Sequence, residues 1–170
     1  LNVRLEKASK VVKGVIKMAK NPFEMRVKNM LPLSDMSLLA PLESFPYETD
    51  GLVFTPVSEP IRMGTHETLF KWKPRDRITI DFCLRGWHPA TGWNLMVQDR
   101  GVYYKEAQLM GLKDQPEGTI VECGYGETGW FPVKIRTDKT YPNNRRTYNR
   151  TIVNIREDIQ FSEFLRVFHI

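Results

Sequence analysis

Between residues 77 and 138 the chain repeats one device five times: a short apolar-rich run closed by glycine or a polar turn. The runs are RITIDFCLRG, GWNLMVQD, GVYYKEAQL, GTIVECGY and GWFPVKIRTD. They are short, alternate in polarity, and are rich in β-branched and aromatic residues, which marks them as strands. Strands of this length cannot bury their apolar faces singly. Five in succession predict a small barrel or sandwich, with the five-stranded OB-fold as the natural candidate. GYGETG (Gly124 to Gly129) formally fits GxGxxG, but another strand follows it rather than the helix a dinucleotide site needs. It reads as a glycine-rich hairpin turn.

The flanks have a different texture. Residues 3–20 place Leu5, Ala8, Val12, Val15 or Ile16, and Ala19 at helical spacing, and Asn21-Pro22 ends the pattern. FEMRVKNM (23–30) alternates like a short strand, and residues 31–49 read as loop with one helical turn after Ser34 or Asp35. DGLVFTPV and LFKWKP then predict further strands. The tail returns to helix, with Ile152, Ile155 and Ile159 on one face and a second helical stretch starting at Ser162. Pro74-Arg75-Asp76 is the expected boundary. The class is therefore α+β: residues 1–74 as the C-terminal part of one domain, 75–148 as the barrel, and 149–170 as a helical segment.

Composition excludes several roles. The chain is 41% hydrophobic and 26% charged, ordinary for a globular protein. It has no apolar run of 18 residues, so no membrane-spanning helix is expected, and no secretory leader is visible. In that setting Asn149-Arg150-Thr151 carries no meaning as a glycosylation site. Cys83 and Cys123 sit in separate strands without a CxxC and are expected as reduced core thiols. His66, His88 and His169 lack metal-ligand spacing. Charge is uneven: residues 1–30 hold eight Lys/Arg against two acids, and residues 134–150 hold six against one. Such patches predict polyanion-facing surfaces, although a solvated helix face explains the first equally well.

Two constellations carry candidate chemistry. Along the strand LFKWKP, Lys71 and Lys73 share one face and Phe70 and Trp72 the other, which is expected to be the packed face. Two lysines on one face suit either plain solvent exposure or a shared anion. In RTDKTYPN, Arg136 and Asp138 would share a strand face, with Lys139 opening the turn set up by Pro142-Asn143. These three form either a surface ion-pair network or a phosphate grip, in which arginine offers a fork and lysine a point charge.

Taken in order, FEMRVK, DGLVF, LFKWKP followed by Asp81-Phe82, and RTDKTYPN resemble motifs IIIa, IV, V and VI of the covalent nucleotidyltransferase superfamily. The similarity is to the GTP:RNA guanylyltransferases of mRNA capping, particularly forms from large DNA viruses, and it covers roughly residues 20 to 160. It implies that a lysine elsewhere attacks the α-phosphate of GTP, forms lysyl-GMP, and passes GMP to the diphosphate 5′ end of RNA. Lys71 and Lys73 would then contact the α-phosphate, and Asp50 would help bind Mg2+ or Mn2+. Phe23 would stack on guanine, with Lys28 or Arg26 at its edge, and Asp81 would position lysines or phosphates. Arg136, Asp138 and Lys139 would reach the β and γ phosphates when the OB domain closes.

No lysine here begins a Lys-x-Asp-Gly sequence, and the chain starts at Leu1. The expectation is a C-terminal portion of the enzyme, inactive alone, whose partners are an N-terminal half bearing the nucleophile and the 5′ end of nascent mRNA. Transcription machinery, or fused triphosphatase or methyltransferase domains, are further expected partners. The setting is the nucleus, or a cytoplasmic viral factory or virion. Two other readings stand beside this one. The first is an ATP-dependent polynucleotide ligase. The second is a non-catalytic OB module binding single-stranded nucleic acid through Trp87, Trp93, Tyr103 and Tyr104, aromatics that core packing also explains.

Overall fold

The computed structural model describes residues 6–7, 9–14, 28, 30–39, 45–60, 64 and 66–168. Two compact units emerge. One comprises Leu1–Glu48, Val53–Phe70 and Phe164–Ile170, the other Thr49–Leu52 and Lys71–Glu163. In the first unit, residues 6–7 and 9–14 are helical, with Glu6 and Lys10 paired across one turn at 2.8 Å. The rest of the helix expected over 3–20 lies outside the described residues. So do Phe23 and Arg26, whereas Lys28 is exposed. The turn expected near Ser34 is a 3-10 helix over Leu33–Leu39.

Strands β1 (Leu52–Phe54) and β2 (Phe70–Trp72) pair in a two-stranded sheet. After a 3-10 turn at Arg75–Arg77 come β3 (Thr79–His88), β4 (Gly92–Asp99), β5 (Val102–Leu109), β6 (Ile120–Gly126) and β7 (Gly129–Ile135). All five are antiparallel in the order β5-β4-β3-β6-β7, and the edge strands β5 and β7 approach one another. Two helices follow, α1 (Arg145–Glu157) and α2 (Phe161–Val167). The α+β class holds, and the five strands read between residues 77 and 138 fall within a few residues of their expected places; the strand expected over 23–30 lies mostly outside the described residues, and Lys28 and Met30 within it are not in a strand.

Alternation fixes which side chains enter the core. Ile80, Phe82 and Leu84 of β3 meet Trp93, Leu95 and Val97 of β4, together with Val121 and Cys123 of β6. Phe82 is fully buried and meets Trp130 edge-on at 4.9 Å and Tyr148 of α1 at 5.9 Å. Trp93 is core too, its indole N–H donating to Leu112 O at 2.9 Å. The hairpin expected at GYGETG joins β6 to β7. Gly124 in β6 leaves room for the Phe131 ring packed across it, which an added Cβ would meet at 2.6 Å unless the ring moved aside. Both cysteines are buried free thiols. Burial pushes Cys123 up to about 12 and raises Cys83, so neither serves as a thiolate nucleophile.

Helix α1 begins at Asn144, whose side chain accepts from the Arg146 N–H at 2.8 Å. It ends at Asp158, which takes the left-handed conformation with φ 45°. Ile155 faces the core as the pattern predicts, but Ile159 falls beyond the helix and is exposed. The early stop at Asp158 rotates Ile159 off the shared face.

Candidate functional site

Of the residues singled out from sequence, Asp50, Lys71, Lys73, Asp81, Arg136, Asp138 and Lys139 gather in two groups, both within the second unit. The first joins DGLVF to LFKWKP. Gly51 sits at φ 143°, and a Cβ there would come within 2.1 Å of Trp72 O, so only glycine lets these two backbones approach. That approach brings Asp50 Oδ2 to 2.8 Å from Lys73 Nζ. The hydrogen bond and charge of Lys73 hold the Asp50 carboxyl below the usual carboxylate range. Asp50 remains 87% exposed in its side chain, and Lys71 is exposed as well.

Trp72 anchors this strand. Its indole N–H donates to Ile159 O at 2.8 Å, and its ring lies 6.1 Å from Phe161. Arg75 adds an ion pair to Asp158 at 3.4 Å. The turn between α1 and α2 thus grips the tryptophan between the two lysines, a contact that sequence spacing cannot reveal. Phe70 departs from expectation. It is 65% exposed rather than packed with Trp72.

The second group centres on Asp81, which is 6% exposed. At this point β4 does not pair with β3, since their register begins at Cys83 opposite Met96. Asn143 fills the opening. Its N–H donates to Asp81 O at 2.8 Å, its Oδ1 accepts from the Asp81 N–H at 2.8 Å, and its carbonyl accepts from the Gln98 N–H at 3.2 Å. Pro142 is buried beside it. The Pro-Asn end of RTDKTYPN is therefore stitched between two strands, and that stitching delivers the preceding cations to one carboxylate. Arg136 Nη1 reaches Asp81 Oδ1 at 3.1 Å, and Lys139 Nζ pairs with Asp81 Oδ2.

Arg136 is held from three sides. Its Nε and Nη2 form a fork onto Asp138 at 2.8 and 2.7 Å, and Glu122 Oε2 lies 3.5 Å from Nη1. Glu122 also accepts from Thr79 Oγ1 at 2.7 Å. The guanidinium keeps the Asp138 carboxyl strongly acidic, and the surrounding carboxylates raise Arg136. Strand β7 ends at Ile135, so Arg136 and Asp138 meet across a turn and not along a strand; the Lys139 N–H donates to Arg136 O at 3.2 Å. Sequence reasoning missed Glu122, Thr79 and Asn143. The register placing Glu122 opposite Asp81 is the signal that finds the first of these.

Among the described residues no group of three or more His, Cys, Asp or Glu is arranged to hold a metal, and no helix is long and apolar enough to cross a membrane. His169 lies outside the described residues. The fold and site define an α+β protein with lysines and an arginine fixed by carboxylates on one β-rich unit, a class suited to phosphate chemistry.

Comparison with known proteins narrows the class. Residues 2–75 match the family model "mRNA capping enzyme, catalytic domain", and residues 62–165 match "mRNA capping enzyme, C-terminal domain". The chain belongs to the mRNA capping enzyme family. It is 28% identical over 143 residues to the mRNA-capping enzyme of Danio rerio, covering 76% of this chain and 23% of that protein. The Mus musculus enzyme gives 28% over 149 residues, 81% of this chain and 25% of the relative. The mRNA-capping enzyme subunit alpha of Yarrowia lipolytica gives 28% over 172 residues, 85% and 44%. The chain thus spans about a quarter of the animal relatives and under half of the yeast one.

Proposed function

We propose that this chain is the phosphate-handling part of an mRNA guanylyltransferase, which transfers GMP from GTP through a lysyl-GMP intermediate to the diphosphate end of RNA. The observation that carries the reading is the convergence of Arg136 and Lys139 on buried Asp81, within a chain of the capping family. A guanidinium and an ammonium anchored on one buried carboxylate are cations already in place for phosphoryl oxygens, the Arg136 fork reaching them as its exposed partner Asp138 gives way. In this reading Arg136 and Lys139 engage the β and γ phosphates, and Asp138 and Asp81 orient them. Lys71 and Lys73 address the α-phosphate.

Phe23, Arg26 and Lys28 take the guanine. The sheet order β5-β4-β3-β6-β7, with its edges drawn together, supports an OB-type barrel carrying the Arg136–Lys139 segment. Asp50 suits a Mg2+ or Mn2+ ion that draws its other ligands from phosphates and water, since such ions need only one or two protein carboxylates. Lys73 is its present partner, so ion and lysine compete for the carboxylate unless phosphate draws Lys73 away. When bound, the ion neutralises phosphate charge.

No Lys-x-Asp-Gly occurs in these 170 residues, so the nucleophile is assigned to another segment and the chain alone is inactive. The experiment is adduct formation with α-labelled GTP and a divalent metal. In an intact enzyme carrying this segment, Lys71→Ala and Lys73→Ala each slow adduct formation by about 10- to 100-fold, a barrier increase of about 1.4–2.7 kcal/mol. Unchanged rates, or a stable GMP adduct on this chain alone, overturn the assignment. A preference for ATP over GTP would move it to the ligases.

A further inference from the structure

The sheet face that bears Asp81 does not end there. Strand alternation puts Cys83 and Arg85 on the same face of β3, and register adds Met96 and Asn94 from β4, then Lys105 and Gln108 from β5. Gln98 and Tyr103 pair on this face as well. The Arg85 guanidinium stacks on the Tyr103 ring at 3.9 Å, and Lys105 is exposed. Tyr103 also lines a pocket of about 250 Å³ with Gln98, Gly101 and Tyr141. Tyr141 is 68% exposed and belongs to the same turn as Lys139. Arg100 projects from the adjoining β4–β5 turn, where it and Gly101 both take positive φ.

Among nearby acids, Glu117 acts on Cys83, while two others are engaged elsewhere. Asp99 accepts from Asn144 at 3.4 Å, and Glu106, at the irregularity in β5, pairs with Arg145 at 2.8 Å. The face thus joins the cations Arg85 and Lys105 to the Tyr103 ring and polar side chains. The pocket lies under the roughly 300 Å³ at which small-molecule sites begin, so it suits one flat ring of a ligand whose remainder runs outside. Aromatic rings beside cations are how sequence-tolerant sites hold single strands, through stacking on the rings and charge along the backbone.

We propose that the Tyr103–Tyr141 pocket and the Arg85–Lys105 face beside it form a single-stranded RNA subsite, holding nucleotides just behind the acceptor's 5′ end. The proposal rests on the guanylyltransferase reading, in which that 5′ end must arrive beside Arg136 and Lys139. The shared turn carrying Lys139 and Tyr141 links the two places.

The test is fluorescence anisotropy of the full 170-residue chain with a 3′-fluorescein octaribonucleotide bearing a 5′-hydroxyl, so that no terminal phosphate contributes. Tyr103→Ala should weaken binding on the order of tenfold. Tyr103→Trp should retain it, which separates ring loss from misfolding. Lys105→Gln should reduce the slope of log affinity against log salt by roughly one. No binding by the unchanged chain, binding by Tyr103→Ala within twofold of it, or equal competition by an RNA duplex would overturn the proposal. In an intact enzyme, Tyr103→Ala should raise KM for RNA while adduct formation from GTP, which involves no RNA, keeps its rate. Loss of the guanylyltransferase reading would appear instead in adduct formation by the Lys71 and Lys73 variants.

Discussion

Asp50–Lys73 and Asp81–Arg136–Lys139 use the same chemistry in opposite surroundings. The Asp50 side chain is 87% exposed and has Lys73 as its hydrogen-bonding partner, whereas the Asp81 side chain is buried and serves two cations. In high dielectric an ion pair contributes little and opens readily, which suits a lysine and a carboxylate that must each turn to a ligand. At a buried carboxylate, losing either partner leaves an uncompensated charge, so the arrangement is fixed before any ligand arrives. One group is exchangeable and the other is a frame.

The sharpest way to break this contrast is Arg136→Ala. It leaves buried Asp81 with Lys139 alone and Glu122 without its cation, and should lower stability by about 3–5 kcal/mol in chemical denaturation of the chain. A loss under 1 kcal/mol would mean the Asp81 group is as exchangeable as the other. Gly51→Ala probes the exposed group through its backbone. Its Cβ meets Trp72 O, so a loss of about 1–3 kcal/mol and a weakened Asp50–Lys73 contact are expected, read by denaturation and by the chemical shifts of Lys73.

Asp50→Asn should have the smallest effect, a few tenths of a kcal/mol that fades in high salt. Its pH dependence has a definite sign. The folded carboxyl is more acidic than the unfolded one, so its contribution is complete above pH of about 4 and disappears as pH falls through the lower folded value. Denaturation of both forms between pH 2 and pH 7 checks this, and a difference that grows toward acid would contradict it.

Much of the sheet was legible in sequence because period-two alternation and glycine turns are local signals. The residues of both groups were also legible, through the resemblance of their motifs. Their partners were less so. Glu122 looked like any polar strand residue until register set it opposite Asp81, 41 positions earlier. Trp72 read as core, yet what holds it is the carbonyl of Ile159, exposed beyond the end of α1. Phe70 read as its packed companion and lies in solvent. Pro142-Asn143 read as a turn, and it is also the stitch that closes the gap between β3 and β4.

By itself, the sequence determined the strands, the hairpin glycines, the core thiols and the membership of the cationic motifs, because each depends on spacing within a few residues. Only the tertiary structure decided which carboxylate each cation meets and how firmly. Those pairings depend on strand register and burial, and a buried charge can be satisfied only by whatever group the rest of the chain brings within hydrogen-bonding distance.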